Sequence, residues 1–136
     1  LKKKNKNEIT IQNVLKNHQN LVLKIDIEGD EYNILDQIKR NYNKINLLII
    51  EFHNISKSLK KIKNFISMSK YKLIHIHGNN YAGLDNFKNP NVIECTFINN
   101  KKFKVSRYKS KYKYPIPNLD YKNFKRRNDI ELNFNE

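Results

Sequence analysis

The 136-residue chain has no tryptophan, one cysteine, one methionine, three glycines and three prolines. Each shortage excludes something. A lone Cys95 permits neither an internal disulfide nor a multi-cysteine zinc site. Nothing therefore calls for an oxidising compartment, and a cytoplasmic location is expected. The glycines stand at 29, 78 and 83. No Gly-x-Gly-x-x-Gly run exists, so no phosphate or dinucleotide loop can be argued. No Ser/His/Asp order suggests acyl transfer. No apolar run approaches the ~20 residues that cross a bilayer. The basic start, Leu1-Lys-Lys-Lys-Asn5, leads into no apolar segment of the kind a secretory signal needs. Acidic residues are few: 13 Asp and Glu against 27 Lys and Arg, a formal net charge of +14.

That charge suits an anionic partner such as nucleic acid, a membrane surface or an acidic glycan. It also has a plainer source. Lys, Asn, Ile and Tyr are abundant together, and all four have A/T-rich codons. The lysines are scattered along the chain rather than gathered in one stripe. Nucleic acid is disfavoured as a partner, because no basic patch is interleaved with aromatics as in stacking platforms.

The length suits one domain. Residues 1–8 read as a frayed, charged lead-in. Thr10 is placed to cap a short helix with Ile11, Val14 and Leu15 on one face. Residues 21–27 form a nearly continuous apolar, β-branched run, the pattern of a strand buried on both faces. Gly29 breaks it, and Asp30 and Glu31 open a helix whose dipole favours them. Ile34, Leu35, Ile38 and Tyr42 give that helix its inner face. Residues 45–52 make a second buried strand. Ser56 is the expected cap of the next helix, with Leu59, Ile62 and Ile66 inward and Lys57, Lys60, Lys61 and Lys63 outward. Residues 71–77 and 91–98 are the third and fourth strands. Alternating strands and helices imply parallel strands with right-handed crossovers. The last two strands lack an intervening helix and are expected to pair antiparallel. The long loop between them, residues 78–91, is a candidate functional segment. The tail from Tyr108, with Pro115 and Pro117, is expected to wrap the surface irregularly.

In open α/β sheets ligands bind beyond the carboxyl ends of the strands. The first strand ends in Asp26 and Glu28, the second in Glu51 and His53, and the third in His75 and His77. Each pair is two residues apart and so points to one side of its strand. Three such pairs are expected to converge on one rim. Carboxylates on buried strands are costly unless they are paired or reach a site. A carboxylate and a histidine there can share removal of a hydroxyl proton. The opposing view is that Asp26 and Glu28 cap the following helix and that His75 is satisfied within the sheet. Asp26, Glu28, Glu51, His53 and His77 all suit a divalent metal, but the pattern matches no established metal motif and no metal is predicted. Asn79 and Asn80, after Gly78, either form a plain turn or present amides to a polar substrate.

Lys24-Ile-Asp-Ile-Glu-Gly-Asp-Glu31 resembles the Lys-Ile-Asp-Val-Glu-Gly-x-Glu signature of FkbM-type methyltransferases. Leu48-Ile-Ile-Glu-Phe-His53, Tyr71 to Asn80, Tyr114 to Tyr121 and Asn128 to Phe134 are similar to later segments of that family, in the same order. The resemblance implies a Rossmann-like class I methyltransferase sheet of seven strands, the last antiparallel. It implies methyl transfer from S-adenosylmethionine to an oxygen of a sugar or secondary metabolite. Asp26 and Glu28 would sit beside the donor methyl and the acceptor, with Asp26 touching the cofactor.

The family's glycine-rich loop and ribose-binding acid should precede residue 8. The chain, which begins with Leu, is therefore read as a processed or cut piece carrying strands four to seven. Residues 1–107 are read as a partial methyltransferase domain and 108–136 as a basic tail packed on it. Alone it is expected to bind S-adenosylmethionine weakly or not at all. One flank of the first strand is expected to lie open, which invites self-association. The alternative is a non-catalytic remnant or basic binding module.

Overall fold

The computed structural model describes residues 9–106 and 111–132. The lead-in at 1–8 and parts of the tail lie outside the described residues. The elements run α1 (Ile11–Asn17), β1 (Leu21–Ile25), a 3-10 turn (Glu31–Asn33), α2 (Leu35–Arg40), a second 3-10 turn (Tyr42–Lys44), β2 (Ile45–His53), α3 (Ile55–Met68), β3 (Tyr71–Gly78) and β4 (Val92–Asn99).

The four strands form one sheet in the order β1-β2-β4-β3. β1 and β2 are parallel. β4 is antiparallel to β2 on one side and to β3 on the other. The expected antiparallel pairing of the last two strands is therefore present. The strand made last lies inside the sheet, and β1, β2 and β3 all run the same way. Their carboxyl ends share one edge.

One sheet face carries the core. Leu48, Ile50 and Phe52 alternate along β2, and Cys95 and Phe97 lie opposite Ile50 and Leu48 on β4. They join Leu15 of α1, Ile38 of α2, and Ile62 and Phe65 of α3. Each fully buried large apolar side chain contributes about 1.5–3 kcal/mol. Phe65 meets Phe97 edge-on at 5.6 Å and stacks on Tyr71 at 6.3 Å. Thr10 caps α1 as its residue type predicts: its hydroxyl accepts from the Asn13 amide at 3.2 Å. Asn99 is wholly buried, and its amide donates to the carbonyls of Tyr42 and Ile45 at the start of β2.

Three details depart from the sequence reading. β1 is buried on one face only: Val22 is 67% exposed, because β1 is an edge strand and no described helix covers that side. α3 begins at Ile55, one residue before Ser56. β2 runs on through His53, and left-handed Asn54 (φ 53°) turns the chain directly into the helix without a side-chain cap. The inner stripe of α3 is Ile55, Ile62 and Phe65, with Ile66 half-buried, while Leu59 is left outside. Phe65 joins the buried stripe, where its ring contacts Tyr71 and Phe97.

The second sheet face is more polar. Part of the C-terminal segment lies against β3 there. Asp120 reaches His75 at 3.0 Å and Asp129 reaches His77 at 3.1 Å. Among the described residues no helix is long and apolar enough to cross a membrane.

Candidate functional site

The shared carboxyl edge of β1 and β2 gathers three of the expected residues. One ligand atom each from Asp26, Glu28 and His53 fall within 4.8 Å of one another. Asp26 and Glu28 follow β1, where the chain bends into a turn. Glu28 adopts a left-handed φ of 54° and Gly29 a φ of 105°, a conformation that favours glycine. This turn projects the Glu28 carboxylate into solvent, 87% exposed, with Oε2 3.5 Å from His53 Nε2.

The other side of His53 is held by Glu31, which is fully buried. Its Oε1 accepts from the His53 backbone amide at 2.7 Å and its Oε2 from the Gly29 amide at 2.9 Å. The same Oε1 lies 3.4 Å from His53 Nδ1. That distance is long for a hydrogen bond, and Nδ1 is buried with no better partner. The contact is electrostatic, and it turns Nδ1 toward the buried carboxylate and Nε2 toward Glu28. Tyr32 completes the support by donating its hydroxyl to the His53 carbonyl at 2.6 Å. Burial pushes the Tyr32 phenol up to about 12, so it stays a donor throughout the neutral range.

The sequence places Glu31 in the first turn of a helix, and it stands there, but its carboxylate has a further use. In the structure the helix opens as a 3-10 turn, and the carboxylate turns inward to pin two strand ends together. Neither Asp26 nor Glu28 caps that helix. Asp30 occupies the cap position and makes no side-chain capping bond.

The remaining expected residues do not join this cluster: His77, Asn79 and Asn80 lie on or after β3, which β4 separates from β2, and Glu51 on β2 is bonded to Asn79. Glu51 stands opposite Glu94 on the second face. Like charges directly opposite repel, and each is compensated: Asn79 donates to Glu51 at 2.7 Å, and Lys24 to Glu94 at 2.8 Å. The bond to Glu94 is the main cause that raises the Lys24 ammonium pKa. His77 is turned to Asp129. Asn79 spends its oxygen on the Tyr81 amide as well. Asn80, expected to face a substrate, is 2% exposed. Its amide donates to the carbonyls of Phe124, Arg127 and Asn128, and its oxygen accepts from the Phe124 amide. It anchors the C-terminal segment instead. The 78–91 loop is likewise tied down, with Asn91 bonded to Ala82 and Gly83.

A model of the family described as "Methyltransferase FkbM domain" matches residues 1–81. The chain belongs to the FkbM methyltransferase family. The matched stretch holds the whole cluster of Asp26, Glu28, Glu31 and His53, as well as β1, β2 and β3. No curated protein and no solved structure matches the chain.

Family membership implies S-adenosylmethionine, and the residues present can be tested against it. Asp26 and Glu28 offer exposed carboxylates at the rim. The only glycines of the chain stand at 29, 78 and 83, so no glycine-rich turn lets backbone approach a bulky cofactor. Two open hollows, of about 720 and 510 Å³, lie at the opposite edge of the sheet. One is lined by Lys72, Lys101 and Lys104, the other by Gln12, Gln37 and Lys44. Neither adjoins Asp26. The described residues of this chain do not build a cradle for the cofactor.

Proposed function

We propose that this chain supplies the acceptor side of an O-methyltransferase. In the full-length protein it would act on a hydroxyl of a sugar or secondary metabolite, with S-adenosylmethionine held by residues outside these 136. The observation that carries the reading is the meeting of Asp26, Glu28 and His53 at the carboxyl edge of two parallel strands, within a methyltransferase family. That edge is where open α/β sheets take their ligands. The antiparallel β4 supports a class I methyltransferase sheet whose last strand is reversed.

Methylating an oxygen requires that the hydroxyl be aimed and relieved of its proton. Positioning supplies most of the rate in such transfers. The exposed Asp26 carboxylate is a hydrogen-bond acceptor for the hydroxyl, and His53, fixed by Glu31 and Tyr32, orients it. Replacing Asp26 with Ala in the full-length protein should lower methyl transfer from labelled S-adenosylmethionine by about 10²–10⁴-fold, the usual scale for a positioned acid–base group. Unchanged activity would remove Asp26 from the mechanism. The chain alone should show no tight binding of S-adenosylmethionine by isothermal titration, and a strong exothermic isotherm would overturn the half-site reading.

A second reading, a non-catalytic remnant or basic binding module, is favoured by the absent glycine-rich loop and the +14 charge. A polyanion-binding module would lose affinity steeply as salt rises. The open edge of β1, with Val22 exposed, also suits pairing with a second copy. Sedimentation should then show dimers that Val22→Lys dissociates, and a monomer at all concentrations would dismiss the pairing.

A further inference from the structure

We propose that Asp26, Glu28 and His53 form a binding site for one divalent transition-metal ion of the Mn²⁺ class. Three observations lead there. The first is geometric. The three donor atoms fall within 4.8 Å of one another, and His53 Nε2 is 3.5 Å from Glu28 Oε2. Two donors held about 2.1 Å from one ion lie roughly 3–3.5 Å apart. The Glu28 side chain, being largely in solvent, can close the remaining gap without disturbing the core.

The second observation is the support behind the imidazole. A metal-bound histidine commonly presents its other nitrogen to a carboxylate, which fixes the tautomer and ring orientation. Glu31 does this for His53 at 3.4 Å. Its two backbone hydrogen bonds prevent it from swinging away. With Nδ1 turned to Glu31, Nε2 is the nitrogen on the open side, 3.5 Å from Glu28 Oε2, where a cation between them would meet both.

The third observation is charge. The chain carries 27 lysines and arginines, yet among the described residues none forms a salt bridge with Asp26, Glu28 or Glu31. The two described lysine–carboxylate bridges lie elsewhere, Lys24 to Glu94 and Lys39 to Asp36. Lys24, bonded to Glu94, feels the Asp26 charge without bridging to it, and three carboxylates around one imidazole still outnumber it. Glu51 and His77 are not among the donors, and each is engaged with its own partner.

Two carboxylates and one imidazole select among ions. Mg²⁺ and Ca²⁺ prefer all-oxygen sites, whereas Mn²⁺, Fe²⁺ and Zn²⁺ accept a mixed nitrogen and oxygen set. Three protein ligands leave coordination positions open, as catalytic rather than structural sites do. The use of the ion rests on the methyltransferase reading. An acceptor hydroxyl in an open position would have its proton acidified by the ion, with Asp26 acting as a ligand rather than as a free base. Binding of the ion does not depend on that reading.

The test uses the purified chain, stripped with a chelator and titrated with Mn²⁺ while free Mn²⁺ is followed by electron paramagnetic resonance. One ion should bind saturably per chain. Glu28→Gln, at an exposed side chain that leaves the fold intact, should weaken binding at least about tenfold. His53→Gln should do the same, while Asp36→Asn, remote from the cluster, should bind as the parent does. Zn²⁺ should displace Mn²⁺ and equimolar Mg²⁺ should not. No saturable binding up to millimolar Mn²⁺ would overturn the site, and so would undiminished affinity in either Glu28→Gln or His53→Gln. Displacement by equimolar Mg²⁺ would overturn the ion class. No methyl donor enters the experiment, so its failure is separate from failure of the Asp26→Ala activity assay.

Discussion

Replacing Glu31 with alanine removes the one carboxylate that joins the end of β2 to the turn after β1. It accepts two backbone hydrogen bonds, from Gly29 at 2.9 Å and His53 at 2.7 Å, from a fully buried position. A hydrogen bond to a charged group contributes about 1.5–3 kcal/mol net. Two of them lost together cost about 3–6 kcal/mol, before any rearrangement. Domains of this size are stable by about 5–15 kcal/mol in total, so the loss is a large share of the whole. Glu31→Gln keeps an oxygen for one of the two amides but sets an NH₂ group against the other. Its expected cost is about half. Urea denaturation followed by circular dichroism measures both, with the m-value showing whether the transition stays two-state. If Glu31→Ala lies within about 1 kcal/mol of the parent, the carboxylate is not the clamp described, and solvent reaches those amides instead.

Other expectations follow from single contacts. A Cβ added at Gly78 would stand 3.0 Å from Ile130 Cβ and 3.2 Å from its Cγ2. Gly78→Ala should therefore lift the C-terminal segment and speed tryptic cleavage after Lys122 and Lys125, and an unchanged cleavage rate would refute the contact. Phe97→Ala, at a wholly buried ring, should cost about 3–5 kcal/mol, with a loss under 1 kcal/mol arguing against its central place. Burial pushes the Cys95 thiol from its ordinary 9.0 up to about 12, so the folded chain should not react with a disulfide reagent at pH 8 until denatured. The raised folded value means that this group favours the folded state below pH 9. Its contribution is lost as pH climbs from about 9 to about 12, because the unfolded thiol ionises first. Alkaline titration of a Cys95→Ala variant should show a flatter fall in stability over that window.

Much of the fold was legible because its signals are local. The apolar run at 45–52 and the spacing of Leu35 and Ile38 each report one buried face, and Thr10 sits where a cap belongs. What was not legible depends on neighbours distant in sequence. Nothing in residues 21–27 says that β1 stands at a sheet edge, so Val22 reads the same as Leu23. Nothing in Leu59 or Phe65 says which will face Tyr71. The candidate site divides in the same way. Asp26, Glu28 and His53 come together, as their places at the ends of neighbouring parallel strands suggest. His77 and Asn80 had the same signature but meet Asp129 and the 124–128 backbone, more than forty residues away. Glu31 was hidden because an acidic residue in a first turn already has a sufficient local explanation.

The place of β4 between β2 and β3 has a consequence for how the chain is made. β3 is complete at Gly78, yet its only described strand partner does not end until Asn99. A ribosome adding about 5–20 residues a second takes roughly one to four seconds to cover that interval. During it β1 and β2 can pair, since only one short helical connection separates them, while β3 has emerged with both edges bare. An unpaired edge is a template for aggregation. The lysines at 70, 72 and 88 lie within or beside this waiting stretch, and charged side chains at a bare edge disfavour pairing with another chain.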